Sequence, residues 1–141
     1  MTFITGVHSK DVPQTWPQVA KFIHSGLMDG GGIEELLARV MRRECALWVA
    51  KDREYIVAAC VTENVILDGR KICNVISVGG VGMDDWLKDL GMIEAWSISN
   101  GCAAMRFEDA REGWLRILSS HGYVLISKNP QTKLITLEKV L

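Results

Sequence analysis

Apolar residues recur along this chain with two periods, and the switches between them mark the elements. Residues 2–7 alternate weakly, which predicts a first strand. Asp11-Val12-Pro13 reads as a helix start, because Asp11 can cap and proline is tolerated in a first turn. Trp16, Val19, Ala20, Ile23 and Leu27 follow at steps of three and four, one stripe of an amphipathic helix. Gly30-Gly31-Gly32 ends that helix. A second is predicted over 33–43, with Ile33, Leu36, Leu37 and Val40 on one face. At Cys45 the pattern changes. Segments 45–51, 55–66 and 71–78 are rich in valine, isoleucine and alanine and read as a three-stranded meander. Asp52-Arg53 and Asp68-Gly69 supply its turns. Segment 71–78 is apolar on both faces, as a central strand is.

Gly79-Gly80-Val81-Gly82 then leads into a long helix predicted over 83–100, with Met83, Trp86, Leu87, Leu90 and Ile93 as its stripe and Gly101 as its stop. A short strand at 102–107, a helix over 110–121 and two closing strands at 123–127 and 133–140 complete the pattern. A strand, a crossover helix and a strand over 71–107 require a parallel pair, whereas the meander before it is antiparallel. The expected fold is α/β: a central mixed sheet of six to seven strands flanked by four helices on both faces.

Composition narrows the function classes. A chain of 141 residues is one domain in length, 1–141, and buries about 68% of its unfolded surface without needing a disulfide or a metal. The net charge is −1, and basic residues adjoin only in short pairs, Arg42-Arg43 and Arg70-Lys71, so the basic stripe of a nucleic-acid binder is missing. Cys45, Cys60, Cys73 and Cys102 are too widely spaced for paired zinc ligands, and their apolar flanks predict free buried thiols. No basic segment precedes an apolar run at the N-terminus, which predicts no signal peptide. The longest apolar runs fall far short of the ~20 residues of a membrane span.

This order of elements resembles the GCN5-related N-acetyltransferase fold over essentially the whole chain. More narrowly, Ile93-Glu94-Ala95-Trp96, Gly101-Cys102, Arg111-Glu112-Gly113-Trp114, Gly122-Tyr123 and Leu137-Glu138-Lys139 resemble small acetyltransferase-like proteins of tailed bacteriophages. The resemblance implies acetyl-CoA wedged between two splayed parallel strands, 71–78 and 102–107, with its pyrophosphate on the loop that opens the next helix. It implies cofactor contacts from Ser77, Val78, Gly79, Gly80 and Gly82, and an acceptor that is a small-molecule or protein amine. It also implies host cytoplasm or the virion as the place of action, and it allows a homo-oligomer.

The sequence departs from the family pattern twice. Aligned on Gly82, the phosphate loop begins at Gly79 where the family has Arg or Gln, and ends at Asp84 where it has Gly or Ala. The glycines permit close backbone approach to phosphate, whereas Asp84 and Asp85 compete for the same positive helix end. In the last helix the position of the family's proton-donating tyrosine is Leu118, with His121 as the nearby titratable group and capping or packing as its plainer role.

Other residues stand out by their place in the pattern. Glu63, near the end of an apolar strand, is the candidate general base; solvation is its ordinary fate. Glu94 lies inside an apolar helical stripe, so it is expected to be buried and paired, with Arg106 or Arg111 as the partner. Trp114 is a candidate surface anchor, and Gly30-Gly31-Gly32 a candidate hinge. Two readings follow: an acetyl-CoA-dependent N-acetyltransferase with a degenerate phosphate loop, and a catalytically inactive copy of the fold serving as a phage virion or assembly component through contacts with other phage proteins.

Overall fold

The computed structural model describes residues 2–27 and 32–141, and the backbone alone at Asp84 and Asp109. Among these, seven strands form one mixed sheet: β1 (Thr2–Gly6), β2 (Ala46–Asp52), β3 (Tyr55–Leu67), β4 (Arg70–Gly80), β5 (Ala104–Ala110), β6 (Val124–Lys128) and β7 (Ile135–Val140). Their spatial order is β1-β2-β3-β4-β5-β7-β6, and every neighbouring pair is antiparallel except β4 and β5. The mixed sheet expected from the pattern is present, at the upper end of the expected strand count.

Helices α1 (Val12–Gly26) and α2 (Ile33–Met41) cover one face. Val12, Trp16, Val19 and Ile23 form the buried stripe of α1, which packs with Leu36 and Val40 of α2 on Leu47, Val49, Ala59 and Val61. Asp11 stands at the N-cap position of α1 but makes no side-chain cap, because it is already turned into a short 3₁₀ segment over Ser9–Asp11. The opposite face carries α3 (Met83–Trp86), α4 (Gly91–Ser99) and α5 (Trp114–Ser119). The long helix expected over 83–100 is broken by a 3₁₀ turn at Leu87–Asp89. Leu87, Leu90 and Ile93 recur at steps of three, the 3₁₀ period, and all three are buried, so core packing favours the tighter winding there. The helix expected from residue 110 begins instead at Trp114, since β5 runs on to Ala110.

The first meander turn is also displaced by one residue. Asp52 pairs with Tyr55, leaving Arg53 and Glu54 as the turn, with Arg53 in the left-handed region at φ 59°. Between β3 and β4 the register slips once: Val61 faces Ser77 and Thr62 faces Val75, so Ile76 is an extra residue on β4. That bulge lies beside the point where β5 leaves the sheet's middle. The candidate hinge falls outside the described residues at Gly30 and Gly31, while Gly32 precedes α2 at φ 77°.

Candidate functional site: the cleft between β4 and β5

The parallel ladder joins residues 72–75 of β4 to 104–107 of β5, and ends at Val75 and Phe107. Beyond it, 77–80 of β4 remain paired to β3 on one side only. The strands part there around a cleft of about 240 Å³. One wall is Ser77, Val78, Gly79 and Gly80, backed by Ser25 and Gly26 at the end of α1. The other is Phe107, Glu108, Arg111 and Trp114.

The first wall is built by close contact of α1 with β4. Ser77 Oγ donates to the Ile23 carbonyl at 2.6 Å. A methyl group on Gly26 would strike Ser77 Oγ and the Val78 backbone, and one on Gly79 would strike the Phe22 carbonyl and Ser25 Oγ. Glycine on both partners lets the helix lie against the strand with no side chain between them. On the second wall, Trp114 is half-buried and stacks on Phe107, with ring centroids 6.2 Å apart. It lies in the cleft and does not stand out as the surface anchor expected.

The loop that opens α3 has the backbone groups of Val81 engaged within the fold. The Val81 N–H is taken by the Val57 carbonyl at 2.8 Å, and the Val81 carbonyl accepts from Trp86 Nε1 at 3.0 Å. Gly82 precedes α3 with φ 69° and is not among the cleft-lining residues. α3 is a single turn of four residues, so little dipole accumulates behind the loop. The Asp85 carboxylate folds back over it, with Oδ2 3.9 Å from the place of a Cβ at Gly82. The side chain of Asp84 lies outside the described residues.

Glu63 faces Asn74 across β3 and β4 and belongs to a row that continues through Arg106 of β5 to Glu138 of β7. Arg39 of α2 bonds its carboxylate. Glu63 is not among the residues that line the cleft. Glu138 accepts from Arg106 Nε and a terminal guanidinium nitrogen at 3.0 and 2.6 Å, and from Arg70 at 3.0 Å. Burial pushes its carboxyl up, but the two guanidinium partners outweigh burial and hold it below the usual carboxylate range. Asn74 Oδ1, in the middle of this row, is buried without a hydrogen-bond partner.

Glu94 is mostly buried, as expected, its side chain 13% exposed, but its partners are not arginines. Lys139 Nζ donates to it at 3.0 Å and the Tyr123 hydroxyl at 2.8 Å. Arg106 is committed to Glu138 on the other face of the sheet, which removes it as a partner. Burial, then the Glu94 charge, pushes the Tyr123 hydroxyl well above its ordinary range, so it keeps its proton. Leu118 is fully buried, and His121 is half-buried past the end of α5. The sequence reading missed Ser25, Gly26, Phe107, Glu108 and Arg111. The one local signal was a charged residue directly after an apolar strand, at Phe107-Glu108.

Among the described residues, no group of His, Cys, Asp and Glu is placed to hold a metal, and no helix is long and apolar enough to cross a membrane. No protein-family model and no curated protein matches the sequence. Solved structures do match in shape. An IAA acetyltransferase from Bacillus cereus superposes with a TM-score of 0.72 at 12% identity, over 100% of both chains. The polyamine N-acetyltransferase of Drosophila melanogaster gives 0.72 at 13%, also over 100% of both. A chain of the NatC complex, solved with Gag peptide and CoA, gives 0.77 at 11%, over 99% of this chain and 98% of that one. The parted parallel strands, the bulge on β4 and these superpositions give the chain the GCN5-related N-acetyltransferase fold.

Proposed function

We propose that the chain is an acyl-CoA-dependent N-acyltransferase, with acetyl-CoA as donor and an amine on a small molecule or a protein as acceptor. The observation that carries this reading is the parting of β4 from β5 beyond Val75 and Phe107. It leaves residues 77–80 with an unpaired backbone edge inside the sheet, beside glycines that admit a thin, amide-bearing chain. Ser77, Val78, Gly79 and Gly80 would hold the pantetheine arm by their backbone, since the Ser77 hydroxyl is already bonded to α1. The donor supplies a thioester carbonyl; the protein supplies alignment of two substrates, which by itself accelerates such a transfer strongly. The pyrophosphate fits less well, because the loop has a one-turn helix behind it and the Asp85 carboxylate over it.

That poor fit favours a second reading, in which the fold serves as an inactive bacteriophage virion or assembly component that binds other phage proteins. Titration with acetyl-CoA, followed by thermal shift and calorimetry, separates the two. The first reading expects saturable binding at sub-millimolar to millimolar concentration and release of free CoA thiol with amines. No binding at millimolar acetyl-CoA by wild type or by Asp85→Asn supports the second.

A further inference from the structure

We propose that Glu108 is the catalytic base of the cleft, the carboxylate that receives the acceptor's ammonium group and takes its proton. The inference rests on the acyl-transfer reading above. Each carboxylate near the sheet's middle is otherwise engaged among the described residues. Glu63 is bonded by Arg39, Glu138 by Arg106 and Arg70, and Glu94 by Lys139 and Tyr123. Glu108 is different on three counts. It lines the cleft. It follows Phe107, the last residue of β5 paired to β4, and so stands at the vertex where the strands part. It is exposed and has no hydrogen-bond or ion-pair partner among the described residues.

The surroundings of Glu108 suit a cation. The facing wall, from Ser25 and Gly26 to residues 77–80, carries no charged side chain. Arg111, the other charged residue of the described lining, forms no ion pair with it. Beside it the stacked Phe107 and Trp114 offer an apolar platform for the body of the acceptor. A primary amine with an apolar arm matches this set. Its ammonium reaches the cleft protonated, at a pH where only the free amine is nucleophilic. Glu108 takes one proton, and the nitrogen lone pair then attacks the thioester carbonyl carbon. As the C–N bond forms the C–S bond breaks. The second nitrogen proton passes to the departing thiolate, giving an amide and free CoA. The proton on Glu108 is released to water.

The test uses the full chain, acetyl-CoA, and phenethylamine and spermidine as acceptors. Glu108→Gln should lower kcat/KM by about 10²–10⁴-fold while leaving acetyl-CoA affinity within about twofold, because the side chain lies past the arm's backbone contacts. Glu108→Asp should recover part of the rate. A second readout needs no turnover. Tryptophan fluorescence should show phenethylamine binding at least about tenfold weaker in Glu108→Gln, whereas 2-phenylethanol, the uncharged isostere, should bind both proteins alike. If wild type binds acetyl-CoA and acylates an amine, and Glu108→Gln does so equally well, the assignment of Glu108 is wrong while the acyl-transfer reading stands. Wild type that neither binds acetyl-CoA nor prefers phenethylamine to 2-phenylethanol overturns both.

Discussion

Glu138 draws together two arginines from different strands, Arg70 of β4 and Arg106 of β5. Its side chain is 9% exposed and that of Arg106 is 18% exposed, so removing the carboxylate strands a half-desolvated cation. Glu138→Ala should cost about 2 kcal/mol at neutral pH, measured by urea denaturation. The folded-state pKa lies below the unfolded value of about 4.3, so the folded protein holds its proton less tightly than the unfolded chain does. The stabilisation is therefore complete above that pH and fades as pH falls through the lower folded value. The gap between wild type and variant should narrow as pH falls below about 4.3. The cysteines give a second prediction at this scale. All four are buried and free, and burial pushes the Cys45 thiol up to about 11 and lifts the other three as well. Native protein at pH 8 should react negligibly with a thiol reagent over minutes. In denaturant all four should titrate, and a count of two or fewer would contradict the free state.

At the scale of elements, two glycines make predictions of opposite sign. Gly79→Ala places a methyl group against the Phe22 carbonyl and levers α1 off β4, at a cost of about 1–3 kcal/mol. Gly91 opens α4 with open space where a Cβ would stand, and φ is not positive there. Gly91→Ala should be neutral or stabilise by up to about 1 kcal/mol. Thermal melts of the two variants check both signs. The same contrast shows what local pattern encodes. The stripe of α1 and the apolar runs of β2, β3 and β4 were legible because burial repeats at the element's own period. The half of the cleft on β4 was legible because glycines interrupt an apolar strand there. The half on β5 was not, because the point where pairing with β4 ends is a matter of register between segments some thirty residues apart. Partner choice fails for the same reason. Glu94 invites a cation, but Lys139 and Tyr123 reach it from 45 and 29 residues away, and no local rule selects them over Arg106.

At the scale of the whole molecule, the acyl-transfer reading makes the loop at 79–85 the element that would set how tightly an anionic ligand is held. A phosphate about 6 Å from the Asp85 carboxylate is repelled by at most roughly 3 kcal/mol at an effective dielectric near 20. Asp85 is exposed, so salt and water remove much of that. Asp85→Asn should tighten acetyl-CoA binding by about five- to tenfold at low salt, with the gain shrinking as salt is added. Equal affinities in calorimetry would show that the loop does not meet the phosphates. The four residue pairs between β4 and β5 have a different consequence, a mechanical one. Together with the Ala103 N–H bond to the Lys71 carbonyl and the Arg70–Glu138 ion pair, they stitch a four-stranded half, β1 to β4, to a three-stranded half, β5 to β7. The sheet should breathe along this seam before it melts elsewhere, with the backbone amides of 72–75 exchanging with solvent sooner than those of β2 and β3. A strand-like molecule lodged in the gap would act as a splint across the two halves. Amide exchange and proteolysis would then report occupancy of the cleft even in a protein that performs no chemistry.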